Sequence, residues 1–311
     1  MNRSRLVGIC LSLAATGSAS GAVLVAETFD GLTPGNVNGQ GSAATGWGAS
    51  TWVSSVTGNS AQVVAGSLTY NVTNTSAATV GTVGGASGNA LEFTSATTAT
   101  GLTSGSRTYG APITPASNPE VWTRHLVQFA AGQVDTGDGL FIALNGSGNP
   151  SPLSGLFINL NDGTKTNDFT IRPGSGSGND LASSGPNVTS VGSATYLVVM
   201  RLTGNGTSWT TAQAWVNPVL NASNELTATG MFSGTIPATT SLSGIAIRAV
   251  QLDAAGTPTP AADRVLLDEF LIGDAVGDAI PGATGAVVPE PATLGLAGIG
   301  AVGTLLRRRR R

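Results

Sequence analysis

Between residues 195 and 203 the chain reads Thr-Tyr-Leu-Val-Val-Met-Arg-Leu-Thr. The β-branched and aromatic content and the length of this run suit a strand covered on both faces. Gly204-Asn205-Gly206 follows and supplies the positive-φ positions of a tight turn, after which residues 212–217 return as the partner strand until Pro218 stops them. Residues 156–160, then Asn161-Asp162-Gly163, then residues 169–172 repeat the design with a longer connection. Further strands are predicted over 23–29, 61–64, 68–72, 122–129, 140–144, 245–250 and 264–272, with 72–88 and 95–106 read as loops. No window carries a 3.6-residue period, so the pattern predicts an all-β, antiparallel sandwich. A parallel β-helix would need a fixed repeat, which the sequence lacks, and a disordered chain would not carry these apolar runs.

The two ends follow a different pattern. Arg3 and Arg5 precede an apolar run over 6–15 and a small-residue stretch over 17–22. That order is a secretory signal covering 1–22, cut near Ala22, and the run is too short to span a bilayer. At the other end, Pro281, Gly282 and Gly285 begin a linker over 281–288. Pro289, Glu290 and Pro291 come next, then an apolar, glycine-rich stretch, then Arg307, Arg308, Arg309, Arg310 and Arg311. The two prolines hold Glu290 extended and outside any helix. The fifteen apolar-rich residues 292–306 would make a helix of about 22 Å, short of a bilayer core of about 30 Å. The arginines can snorkel and fix this end on the cytoplasmic side. A permanent tail anchor is the competing reading.

With the ends set aside, 23–280 remain to fold, and 44 glycines and 15 prolines in the chain leave little room for long helices. Cys10, the single cysteine, lies in the leader, so the body relies on core burial and not on disulfides. The formal charge of −3 conceals an acidic body, with seven basic against sixteen acidic residues and a net of −9. Such a surface, with Lys165 as its one lysine, repels phosphate backbones and excludes nucleic acid as a partner.

Glu27-Thr28-Phe29-Asp30-Gly31-Leu32, with Gly39-Gln40-Gly41 and Gly46-Trp47-Gly48 behind it, resembles the opening of laminin-G or concanavalin-A-like domains of exported bacterial proteins. Trp215-Val216-Asn217-Pro218 and Leu267-Asp268-Glu269-Phe270-Leu271-Ile272-Gly273 resemble the close of such domains. The resemblance implies a jelly roll whose first and last strands lie side by side, and domains of this group often hold a structural calcium. The tail is similar to the PEP-CTERM sorting signal. That similarity implies recognition by an exosortase in the inner membrane, cleavage near Pro289-Glu290-Pro291, and release of a transiently anchored body to the cell surface or into exopolysaccharide.

Chemistry is harder to find. A polysaccharide-cutting enzyme would need two carboxylates converging about 5–10 Å apart. Asp268 and Glu269 are adjacent on a predicted strand and are expected on opposite faces, and the remaining body glutamates are far apart in sequence. His125, the only histidine, should share a strand face with Thr123 and Val127 as a packed or rim residue. No Gly-x-Ser-x-Gly elbow stands at a strand-to-helix junction. Asp135 and Asp138, in a glycine-rich loop, form the candidate calcium site. Among Trp47, Trp52, Trp122, Trp209 and Trp215, Trp209 beside the Gly206 turn is the candidate for stacking on a sugar. The sequence therefore points to a non-catalytic exported protein with carbohydrate affinity. A polysaccharide-active enzyme on the same fold is the alternative, and a matrix component without a ligand is the third reading.

Overall fold

Short β-branched segments punctuated by glycine and asparagine turns build a fold that is almost entirely strand. The computed structural model describes residues 21–41, 44–55, 60–94, 103–129, 139–144, 155–159, 169–172, 194–250 and 264–286. From the N-terminal side come β1 (Val23–Glu27), β2 (Gly35–Asn36), β3 (Val53–Ser55), β4 (Ser60–Ala65), β5 (Thr69–Thr73), β6 (Thr79–Gly84) and β7 (Asn89–Thr94). The middle gives β8 (Thr103–Ile113), β9 (Glu120–Phe129), β10 (Gly139–Ala143), β11 (Gly155–Asn159) and β12 (Phe169–Arg172). The last third gives β13 (Thr195–Gly204), β14 (Trp209–Val216), β15 (Glu225–Leu226), β16 (Phe232–Thr239), β17 (Leu242–Val250), β18 (Arg264–Gly273), the one-turn helix α1 (Val276–Ala279) and β19 (Gly285–Ala286).

Two antiparallel sheets result. A nine-stranded sheet runs β16-β14-β13-β9-β18-β7-β4-β2, with β1 also on β18, and a six-stranded sheet runs β12-β11-β10-β17-β8-β3. The chain changes sheet on either side of β3, β8 and β17, and again between β9 and β10 and between β12 and β13, which is the crossing of a jelly roll. First and last long strands are neighbours, Ala26 opposite Leu271 and Glu27 opposite Phe270, as the family resemblance implied.

The 195–203 run is the clearest case of sequence dictating position. Val198, Met200 and Leu202 face the core between the sheets, while Leu197 and Val199 belong to a second apolar cluster on the outer face of the nine-stranded sheet. Covered on both sides, the strand has no solvent face and so no alternation. On β9, Val127 faces the inter-sheet core, whereas Trp122 and Leu126 face outward beneath Leu68, Val72 and Val83 of the β5–β6 hairpin and Ile280 after α1. Trp122 and Trp215 stack there at 5.7 Å.

Two expectations are corrected. Residues 72–88 and 95–106 are not simply loops, since β6 and the start of β8 fall within them. Their small, polar sequences pair because neighbouring strands complete their hydrogen bonds, β5 beside β6, and β3 and β17 on either side of β8, where Val53 and Ala246 flank Ser106. The linker does not begin at Pro281. Thr284 N–H donates to the Asn224 carbonyl at 2.9 Å, and Gly285–Ala286 runs parallel to Glu225–Leu226, so the body extends through Ala286. The signal helix, the apolar tail helix, Pro289, Glu290, Pro291 and the five terminal arginines lie outside the described residues, among which no helix is long and apolar enough to cross a membrane.

Candidate functional site

The motifs that made the sequence recognisable turn out to be structural. Glu27 on β1 accepts from the Arg107 guanidinium on β8, joining the two sheets through a buried ion pair, and its other oxygen accepts from the Phe29 N–H at 3.1 Å. Arg107 is 1% exposed and Glu27 2%. Arg107 also donates through Nε to the Ser50 carbonyl at 3.1 Å and lies 4.5 Å over the Trp47 ring, whose indole N–H donates to the Ala26 carbonyl at 2.7 Å. Burial pushes the Glu27 carboxyl up, while the Arg107 charge and the Phe29 N–H pull against that shift. Asn217, of the Trp-Val-Asn-Pro run, sits at φ 52° and ties itself to Leu197 by accepting from its N–H through Oδ1 at 2.9 Å.

Asp268 and Glu269 require a correction. The strand register slips between Asp268 and Leu271, and Glu269 takes φ 55°, so β18 carries a bulge. The extra residue puts both side chains on the outer face instead of opposite faces. Asp268 Oδ2 accepts from Ser67 Oγ at 2.8 Å and Leu68 N–H at 2.9 Å, and its Oδ1 accepts from Glu269 N–H at 2.8 Å. Glu269 pairs with Arg124 at 3.3 Å. Burial drives the Asp268 carboxyl up to about 7, against the three hydrogen bonds and with help from the Glu269 charge. Asp268 is thus committed to holding the sheet to the segment that covers it, and Glu269 to the neighbouring strand β9.

His125 lies opposite Val198 on the core side, as its spacing with Thr123 and Val127 foretold, and is 3% exposed. Burial lowers its pKa to about 3, which keeps the imidazole neutral and out of acid–base work at ordinary pH. Trp209 is not a sugar platform. It is 0% exposed, and its indole N–H donates to the Asn118 carbonyl at 3.1 Å, so the hairpin end is covered by the segment before β9. The other four tryptophans are buried too. Asp135 and Asp138 lie outside the described residues, among which no group of three or more His, Cys, Asp or Glu could hold a metal.

What the sequence did not reveal is a transverse polar row. On the outer face of the nine-stranded sheet, Thr195 on β13 stands opposite Gln128 on β9, Gln128 opposite Leu266 on β18, Leu266 opposite Glu92 on β7, and Glu92 opposite Gln62 on β4. Five neighbouring strands place these side chains in line across about 19 Å, at the usual strand spacing. Four of its members, Thr195, Gln128, Leu266 and Glu92, floor a groove of about 560 Å³ bounded by residues 64–69 and Arg264. Arg264 is half exposed and pairs with Glu92 at 3.4 Å, while Gln128 Nε2 donates to Thr195 Oγ1 at 3.2 Å. Ser67 and Leu68, which grip Asp268, form part of the rim. Donors, acceptors and one apolar contact are therefore presented together along a line. That inventory suits an extended, polyhydroxylated ligand.

Residues 287–311 match the PEP-CTERM protein-sorting motif, so the chain carries that motif at its C-terminus. Among curated proteins, none matches this sequence. Solved structures of similar fold include lectin II from Ulex europaeus, at 12% identity and TM-score 0.43, covering 81% of this chain and 99% of that one. They also include a carbohydrate esterase from the Shiga toxin-encoding bacteriophage phi24B, at 13% identity and TM-score 0.39, covering 80% and 98%. A third is an endo-β-1,4-glucuronan lyase from the fungus Trichoderma reesei, at 13% identity and TM-score 0.36, covering 80% and 97%.

Proposed function

We propose that this is an exported, non-catalytic surface or matrix protein, delivered through exosortase processing of its tail, whose body binds polysaccharide along the transverse row. The match of residues 287–311 to the sorting motif carries the destination. It marks a chain that passes the inner membrane and rests there transiently before release.

Polysaccharide is the ligand class that the groove supports. A linear glycan lying across the strands would place hydroxyls against Gln128, Thr195, Glu92 and Arg264 and a carbon-rich face on Leu266. Because Glu92 and Arg264 neutralise one another and the body carries −9, a neutral glycan fits better than an acidic one. Among the described residues lining the groove none is aromatic, so binding rests on hydrogen bonds.

The non-catalytic reading is supported by how the acids are used. Each of the nine described carboxylates accepts from a named donor, so none stands as an unengaged acid or base. Retention on immobilised neutral polysaccharides tests the reading. We expect the exported protein to be retained and Glu92→Ala with Gln128→Ala to be released. Retention unchanged by that pair removes the groove, and oligosaccharide appearing in the eluate removes the non-catalytic assignment. Intact mass of the released protein should lack Arg311, and a product that keeps it would overturn exosortase processing.

A further inference from the structure

The first described residues meet the end of the last long strand in an arrangement that the ladder alone does not explain. Ala22 N–H donates to Asp274 Oδ1 at 2.6 Å, and Asp274 N–H donates back to the Ala22 carbonyl at 3.3 Å. This reciprocal pair adds a rung beyond Val23 and Gly273. Asp278 closes on the same place. A Cβ added at Gly21 would lie 2.2 Å from Asp278 Oδ2 and 2.4 Å from Asp274 Oδ1. Two carboxylates therefore flank the Gly21–Ala22 peptide bond.

Among the described residues, what faces those carboxylates is short of positive charge. Asp278 Oδ2 accepts from the Ala275 N–H at 3.1 Å, and the cation beside it, Arg124, is shared with Glu269 and donates to the Asp278 backbone carbonyl at 2.9 Å. Asp274 has the Ala22 N–H. A neutral amide is a modest partner for an acid that lies beside a second acid. An ammonium at the same nitrogen would be a strong one.

We propose that leader removal cuts between Gly21 and Ala22, and that the new Ala22 ammonium is held by Asp274 with Asp278 beside it. Hydrolysis consumes one water and leaves a carboxylate on Gly21 of the departing leader and an ammonium on Ala22 of the body. Gly21 and Ala19 then stand one and three positions before the cut, where a leader peptidase accepts small residues. A cut one residue later, after Ala22, would begin the body at Val23 and discard both hydrogen bonds to Asp274. Processing on this geometry does more than trim the chain, because it creates the charge that fastens β1 to the end of β18. The inference is independent of the polysaccharide reading and uses none of the groove residues.

Two measurements on the exported protein test it. N-terminal sequencing should begin at Ala22, and a start at Val23 or at any residue before Ala22 overturns the proposal. The pH dependence of labelling by an amine-reactive reagent then reports the α-amine, with the peptide carrying Lys165, the one other amine of the body, as internal reference. A terminal amine ordinarily titrates near about 7.7–8.0. We expect it to titrate higher here, its labelling at neutral pH slowed about tenfold for each unit of that rise. Asp274→Asn, or Asp278→Asn should the first variant fold poorly, should return it toward the ordinary value. An amine that titrates normally in the unsubstituted protein overturns the ion pair.

Discussion

Replacing Arg107 with Met tests whether the buried pair with Glu27 organises the junction of the two sheets. The substitution removes the charge and the donors but keeps a long apolar side chain against Trp47. Glu27, 2% exposed, would keep only the Phe29 N–H of the contacts described above and would have to remain ionised in the core or take up a proton. Breaking a buried ion pair at one partner costs about 3–5 kcal/mol. For a domain of this size each kcal/mol moves Tm by about 2–4 °C, so Tm should drop by about 6–20 °C at neutral pH. The sign of the pH effect follows from the direction of the shift. Burial already raises the Glu27 carboxyl, and removing Arg107 takes away the main opposing influence, so the folded variant holds its proton more tightly still. Stability contributed by a raised carboxyl is fully present below the unfolded pKa and is lost as pH rises through the folded one. The Arg107→Met defect should therefore shrink on acidification, and Glu27→Gln added to it should recover stability at neutral pH. Urea denaturation over a range of pH measures both. A loss under about 1 kcal/mol, the size of an exposed pair, would refute the argument, as would a defect indifferent to pH and to the second substitution.

Asp268, raised to about 7 from 3.8, should make stability fall as pH climbs between those values, by at most about 4 kcal/mol. Asp268→Asn should flatten that slope in urea titrations while costing about 1–3 kcal/mol, because its amide must face the N–H of either Leu68 or Glu269; an unchanged slope would be contrary. Trp209→Ala should lower stability by about 3–5 kcal/mol and leave glycan retention of the folded fraction intact, and loss of retention at unchanged stability would reverse that assignment. Calcium held by Asp135 and Asp138 would make Tm fall on addition of a chelator, and a constant Tm removes that candidate.

The sequence was most legible where local composition and tertiary role coincide. Residues 195–203 announce β13 because both faces are apolar, and Phe169–Arg172 ends where Pro173 follows. Strand β8 was missed because Thr-Ser-Gly-Ser-Arg-Thr-Tyr-Gly-Ala-Pro-Ile offers few apolar positions, and its stability comes from β17 beside it and from Arg107 reaching Glu27. Expecting Asp268 and Glu269 on opposite faces assumed unbroken alternation, and only the facing strand reveals the extra residue. Trp209 was misplaced because a turn in sequence was equated with exposure, whereas Asn118, 91 residues away, covers it. The polar row was invisible for a similar reason. Thr195, Gln128, Leu266, Glu92 and Gln62 come from five separated segments, and nothing local in any of them signals the alignment.

The pairing of β1 with β18 also decides how the two ends of the described body would respond to a pull. Ala22 is tied to Asp274, whereas the chain runs on past Asp274 through α1 to Gly285–Ala286, which lies along Glu225–Leu226. A force applied at Ala22 would have to peel β1 from the nine-stranded sheet. The same force at Ala286 would first strip a two-residue pairing and leave both large sheets whole.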